Sequence, residues 1–315
     1  MELWWFQKKG EVMKKSFSIN SFEELVLKGI IWEPETAEAL KGIVVIAHGM
    51  AEIIERYDDF ASTLAQNGYI VYGYNQRGHG PDAPLLGYLG EDGWYKLRED
   101  YKHVVEFVRS NHADLPVFAM GHSMGSFVVR DFLMDYSYLV HGVILSGTGF
   151  YPKITLSFGS WLSNRDVAKH GDRHLSKTID QLAFRGNNKR IKMPSTAFDW
   201  LSRDAEQVKA YVNNPLCGQM HPSSFYKAFF SGLLKLMYQP ECNNFKPGLP
   251  MLLISGAEDP IGNYGKGVDK TEQFYRTLGY KTEQILFDGG RHEMLNEINK
   301  HQVYDTLIGW LENQL

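Results

Sequence analysis

The sequence predicts an α/β protein built on a largely parallel sheet, and three observations carry that expectation. Short apolar runs recur along the chain, most of them end in Gly or a polar turn, and segments with helical spacing lie between them. Strands covered on both faces lose the alternation of a half-exposed strand and read as continuous aliphatic stretches.

Leu25 to Trp32 is expected to be an early strand running antiparallel to the rest. The first buried parallel strand is Gly42 to Ala47 (GIVVIA), followed by a helix over Tyr57 to Gln66 and a strand over Tyr69 to Tyr74. A helix from Trp94 to Ser110 leads to the strand Val117 to Met120, a helix over Met124 to Asp135, and the strand Gly142 to Ser146. There the rhythm breaks. Between Gly147 and Pro250 no buried strand appears, and a structureless loop of that length would be anomalous, so it is read as an inserted, mostly helical cap. The alternation resumes with the strand Met251 to Ser255, a helix over Thr271 to Leu278, the strand Gln284 to Phe287 and a helix over Ile298 to Leu311. In this last helix Val303, Leu307, Trp310 and Leu311 form the apolar stripe that packs on a sheet. The expected organisation is a core from 1–149, a cap from 150–240 and the rest of the core from 241–315. No repeat or Ser/Gly linker separates them, so cap and core are expected to pack together.

A chain of 315 residues with 43% hydrophobic residues has material for a large core. Its net charge of −4 lacks the basic excess of a dedicated nucleic-acid binder, so no nucleic-acid partner is expected. Cys217 and Cys242 form neither a disulfide framework nor a zinc motif, which fits a reducing compartment. No run approaches the roughly 18 apolar residues of a membrane span. Trp4, Trp5 and Phe6 precede Lys8 and Lys9, the reverse of signal-peptide order, and could anchor at an interface. The expected location is cytoplasmic, with peripheral membrane contact at most.

Gly121-His122-Ser123-Met124-Gly125 fits G-x-S-x-G. It follows a strand and opens a helix, the setting in which glycines allow a sharp turn that exposes the serine hydroxyl. Ser123 is therefore the candidate nucleophile. A serine hydroxyl needs a base, and the base needs an orienting carboxylate, in the chain order Ser, acid, His. Asp259 and His292 each follow a strand and reach the same carboxyl edge as Ser123, where ligands bind in open α/β sheets. His48, His79 and His122 precede the acid and are read as structural or lining; Glu258 is read as solvated and Asp288 as a turn residue. The oxyanion donors are expected to be the backbone N–H groups of Met124, next to the nucleophile, and Met50, in the loop after the first parallel strand.

With these residues in place the chain resembles the α/β-hydrolase superfamily, and within it the monoacylglycerol lipase and lysophospholipase group. The likeness runs from about Trp32 to the C-terminus and rests on HGMAE from His48, Arg56-Tyr57, RGHG from Arg77, GHSMG from Gly121 and NPL from Asn214. It departs at Asn75, where the group usually has Asp, and at Pro81-Asp82, both read as remote from the chemistry. The resemblance implies a serine esterase that needs no cofactor or metal and cleaves single-acyl lipids, with the cap forming an acyl-chain channel.

Phe158, Trp161, Phe198 and Phe229 are candidate lining residues for that channel. Residues 161–192 carry eight basic and three acidic side chains, a net +5 against −9 for the rest. Arg165, Lys169, Arg173 and Lys177 recur every fourth residue, which would align them on one helix face as a reader of an anionic lipid surface or phosphate head group. A solvated face is the plainer reading of that stripe. The rival functions are an esterase, thioesterase or small-peptide hydrolase with the same triad, or a lipid-binding protein that has lost catalysis.

Overall fold

The computed structural model describes residues 12–36, 40–240, 244 and 246–315. Two expectations, the Trp4-Trp5-Phe6 anchor and the state of Cys242, lie outside the described residues.

Eight strands form one sheet: β1 (Val12–Asn20), β2 (Val26–Pro34), β3 (Gly42–Ala47), β4 (Tyr69–Tyr74), β5 (Val117–His122), β6 (Gly142–Ser146), β7 (Pro250–Gly256) and β8 (Lys281–Phe287), in the order β1-β2-β4-β3-β5-β6-β7-β8. From β4 to β8 every neighbouring pair is parallel; β1 and β2 add an antiparallel flap at one edge. Each residue of β3, β4, β5 and β6 is buried, which is why these strands read as uninterrupted apolar runs.

Helices α1 (Asp58–Gln66), α2 (Gly93–Asn111), α3 (Met124–Tyr136), α8 (Lys266–Thr277) and α9 (Lys300–Glu312) cover the two faces. One face packs Val45, Ala47 and Ala119 under α2 and α3; the other packs Val44, Ile46 and Phe118 under α1 and α9. This is the α/β-hydrolase fold.

The interval between β6 and β7 holds α4 (Lys153–His170), α5 (Lys177–Phe184), α6 (Ala205–Asn213) and α7 (Ser223–Tyr238). It seats on the core through Phe229, whose ring meets Trp94 of α2 at 5.9 Å and Phe127 of α3 at 6.1 Å. The single-helix basic stripe requires correction. Gly171 at φ 90° ends α4, so Arg165 and Lys169 lie on α4, Arg173 in the following turn and Lys177 at the start of α5. Arg173 stacks on the Tyr88 ring at 4.9 Å, away from any common face.

Candidate active site

Ser123 sits between β5 and α3 at φ 51° and ψ −119°, a strained geometry that L-residues adopt only when their surroundings impose it. Both glycines of the motif supply that surrounding. A Cβ on Gly121 would lie 2.4 Å from the Gly125 carbonyl oxygen, and one on Gly125 would lie 2.1 Å from that of Ala47. The tight approach of α3 to β3 thus drives the serine outward. The Ser123 N–H donates to the Ser146 carbonyl at 2.9 Å, which pins the turn to β6.

Asp259 and His292 come together from loops 33 residues apart: His292 Nδ1 lies 3.0 Å from Asp259 Oδ2. Two further donors fix the carboxylate, Ser255 Oγ on Oδ2 at 3.1 Å and the Ile261 N–H on Oδ1 at 2.8 Å. The two loops touch because Gly256 leaves no side chain between them; a Cβ there would meet the Gly290 carbonyl oxygen at 2.0 Å. Gly147, at φ 60°, similarly clears the floor beneath the His292 ring.

The histidine loop is also laced to the insertion. The His292 N–H donates to Trp200 O at 3.3 Å, the Glu293 N–H to Leu201 O at 2.7 Å, and the Trp200 ring covers the imidazole at 5.0 Å. His292 and Asp259 are both buried. Burial opposes the imidazolium, but the Asp259 charge and hydrogen bond, with Glu293 and Glu52 nearby, outweigh it and raise the His292 pKa above its ordinary 6.5. An imidazolium cannot accept a serine proton, so the acid limb of kcat/KM is expected to have its midpoint above pH 6.5 and to move down in Asp259→Asn. A pH–rate profile with a limb below 6.5 would remove the Asp259–His292 pair from the role of base.

Ser123 and His292 open into a cavity of about 400 Å³. Leu156, Leu162, Phe127, Phe229, Phe230 and Leu233 give it apolar walls, and Met50, Met124 and His122 also line it. Phe158 lines it near its mouth, half exposed, and Phe229 lies deeper. Trp161 and Phe198 lie elsewhere in the structure. Trp161 is not among the lining residues; it points outward on α4 and stacks on Phe158 at 5.9 Å. Phe198 packs on Tyr211 at 5.1 Å and lines a neighbouring cavity of about 550 Å³ between α5 and the 197–219 segment.

Three charged residues that the motif reading left without a role converge at one end. Arg56 Nη1 donates to Glu52 Oε2 and Glu293 Oε1, both at 2.7 Å, and Nη2 donates to Glu293 Oε2 at 2.5 Å. Tyr57 Oη and the Gly49 N–H donate to the other Glu52 oxygen at 2.9 and 2.5 Å. Burial alone would raise the Glu293 pKa, but the Arg56 guanidinium holds it down at about 2. The sequence signal was present, Glu52 and Arg56 standing in HGMAE and the following RY and Glu293 beside the candidate base; what it could not show is that one guanidinium joins them across 237 residues. Asn75 is less remote than expected, since its Oδ1 accepts the Ile54 N–H at 3.0 Å and so supports the loop carrying Glu52.

Known proteins share this architecture. A family model described as serine aminopeptidase S33 (Hydrolase_4) matches residues 38–299. The chain is 26% identical over 288 residues to a monoacylglycerol lipase of Mycolicibacterium smegmatis, covering 90% of this chain and 92% of that protein. It is 27% identical over 291 residues to a monoglyceride lipase of Mus musculus, covering 90% and 86%. A solved thermostable carboxyl esterase from Bacillus coagulans superimposes with a TM-score of 0.84 at 24% identity, covering 95% of this chain and 98% of that one.

Proposed function

We propose that this chain, which belongs to the serine aminopeptidase S33 (Hydrolase_4) family and is a carboxylic ester hydrolase of the α/β-hydrolase superfamily, releases a fatty acid from neutral monoacylglycerols. In this reading His292 takes the Ser123 proton, Ser123 attacks the ester carbonyl, and the Met50 and Met124 N–H groups receive the oxyanion. Asp259 holds the imidazole in its tautomer, and water resolves the acyl-enzyme with His292 again as base.

One observation carries the choice of substrate. The cavity is apolar along its length, and among the described residues its only charged lining groups are Glu52 and Glu293. With Arg56 between them this end is net negative. It suits a leaving group that donates hydrogen bonds, such as a glycerol hydroxyl, and disfavours a phosphodiester, for which the lining offers no Lys or Arg. Side-by-side assays with a long-chain monoacylglycerol and a lysophosphatidylcholine of the same acyl chain are expected to favour the neutral lipid at least about tenfold in kcat/KM. Equal rates, or preference for the lysophospholipid, would overturn the head-group reading and return the basic segment to the role of phosphate reader.

The mouth of the cavity supports delivery from a lipid surface. Ile154 (80% exposed), Phe158 (55%) and Trp161 (54%) stand on α4 at helical spacing with Arg165, and Leu182 of α5 lies opposite, half exposed. The three exposed apolar side chains of α4, bordered by Arg165 and Lys169, form a local patch that supports contact with a lipid surface. Among the described residues no helix is long and apolar enough to cross a membrane. Co-sedimentation is expected to show tighter binding to anionic than to neutral vesicles, by about 1 kcal/mol per engaged basic residue, and loss of binding in Ile154→Ser/Trp161→Ser. Equal binding to both vesicle types would take Arg165 and Lys169 out of the contact.

A further inference from the structure

Two buried histidines outside the Ser123–His292–Asp259 set hold the loop that carries Met50. His48 Nδ1 lies 2.7 Å from the Gly49 carbonyl oxygen, and the Gln76 N–H donates to His48 Nε2 at 3.0 Å. His79 Nδ1 lies 3.0 Å from the Arg77 carbonyl oxygen, and the Ala51 N–H donates to His79 Nε2 at 3.2 Å. A backbone N–H can only donate, so each Nε2 is an acceptor and each Nδ1 carries the proton that goes to a carbonyl. Both rings are neutral. Burial, with the Arg56 charge nearby, pushes His48 down to about 4, and burial, with the His48 ring 5.1 Å away, pushes His79 down to about 3.

The arrangement is reciprocal. The 48–51 loop sends its His48 ring to the 75–79 loop, and the 75–79 loop returns its His79 ring to the 48–51 loop. The Gln76 side chain closes the clasp, with Nε2 donating to the His48 carbonyl oxygen at 2.6 Å. Its consequence falls on the two peptides flanking Met50. In a trans peptide the N–H points opposite to the C=O, so holding Gly49 O with the His48 ring fixes the direction of the Met50 N–H. Holding the Ala51 N–H with His79 fixes the next peptide, at a residue forced to φ 55°. Ala51 is gripped on its other side by the insertion, where the Gly218 N–H, just past Asn214-Pro215-Leu216, donates to Ala51 O at 2.8 Å.

We infer that His48 and His79 are a pair of positioning residues that aim the Met50 N–H at the oxyanion, and that the Asn214–Gly218 turn joins the insertion to the same loop. The inference rests on the serine-esterase reading above. It gives RGHG and NPL, two motifs with no part in the triad, a shared task. A clasp of this kind matters because oxyanion stabilisation depends on donors already aimed where charge will develop.

Two substitutions at His79 separate positioning from bulk. Glutamine places Oε1 where Nε2 stands and keeps an acceptor for the Ala51 N–H; asparagine reaches only the Nδ1 position and loses that acceptor. The expected result for His79→Asn is a kcat on a long-chain monoacylglycerol lower by about 10- to 100-fold with KM within about threefold. Its affinity for a trifluoromethyl ketone bearing the same alkyl chain, which mimics the tetrahedral oxyanion, is expected to fall in parallel. His79→Gln is expected to recover most of both. Equal losses in the two variants, a loss confined to KM, or unchanged ketone affinity would overturn the proposal. Should neither variant fold, Gln76→Met, which keeps the side-chain length and loses only the amide donor to His48 O, tests the same clasp: a fall in kcat and ketone affinity together supports it, and wild-type values of both overturn it. Fluorophosphonate labelling of each variant keeps the two readings apart. Labelling at Ser123 with full oxyanion affinity defeats the clasp alone, whereas absence of Ser123 labelling in the wild-type chain defeats the esterase reading beneath it.

Discussion

Replacing Ser123 with alanine is expected to lower fatty-acid release by about 10⁴- to 10⁶-fold while leaving the fold intact. The second half of that expectation follows from the backbone. The position is at φ 51° for either residue, and the hydrogen bond that pins the turn is the Ser123 N–H to Ser146 O, which alanine keeps. The glycines that force the turn are also untouched. What is removed is the hydroxyl alone, and no other serine or threonine occupies the apex of this turn. Unchanged circular dichroism with near-zero turnover is the expected pair of measurements, and an active, folded variant would exclude Ser123 as nucleophile. Residual activity over water would reflect donors and binding that remain in place.

Asp259→Asn is the second large effect, expected to be about 10⁴-fold in kcat. Asp259 Oδ1 accepts the Ile261 N–H, so in the variant the amide oxygen stays there and the NH₂ group turns toward His292. A donor facing Nδ1 makes that nitrogen the acceptor and moves the ring proton to Nε2, where the base must be free. The imidazole keeps its place under Trp200 but carries the wrong tautomer. Because geometry is preserved, binding of the trifluoromethyl ketone is expected to weaken less than kcat falls. A variant with near-normal kcat would show that another carboxylate orients His292. Glu258 is a poor substitute, since its side chain is half exposed and pairs with Arg190 at 3.5 Å.

The parts of this molecule legible in the sequence are those governed by local rules. β3, β5 and β6 are buried on both faces, so their composition declares them, and Ser123 declares itself through the strand, the glycines and the helix. β1 escaped because it is an edge strand: in VMKKSFSIN only Phe17 is buried, and Lys14 and Lys15 face solvent. The four-residue spacing of the basic stripe runs across Gly171, whose φ of 90° ends the helix, so spacing alone does not place its members on one face. Residue type alone marks Trp161 and Phe198 as channel candidates, but which side of a helical insertion faces the core is settled by packing, and α4 turns Trp161 outward. The Glu52–Arg56–Glu293 bridge and the His48–His79 clasp were hidden for another reason. The clasp joins the loops after β3 and β4, which pair only because those strands are neighbours in the sheet, and the bridge needs the loop after β8, at the far edge, to reach back to the loop after β3.

One serine, Ser123, is expected to carry the acyl group. The most direct measurement is stoichiometric labelling with a long-chain alkyl fluorophosphonate, followed by peptide mapping and assay of fatty-acid release from a monoacylglycerol as labelling proceeds. The expected result is one label per chain, on Ser123, with release lost in proportion. Label on a different residue, or complete labelling of Ser123 with undiminished release, would contradict it.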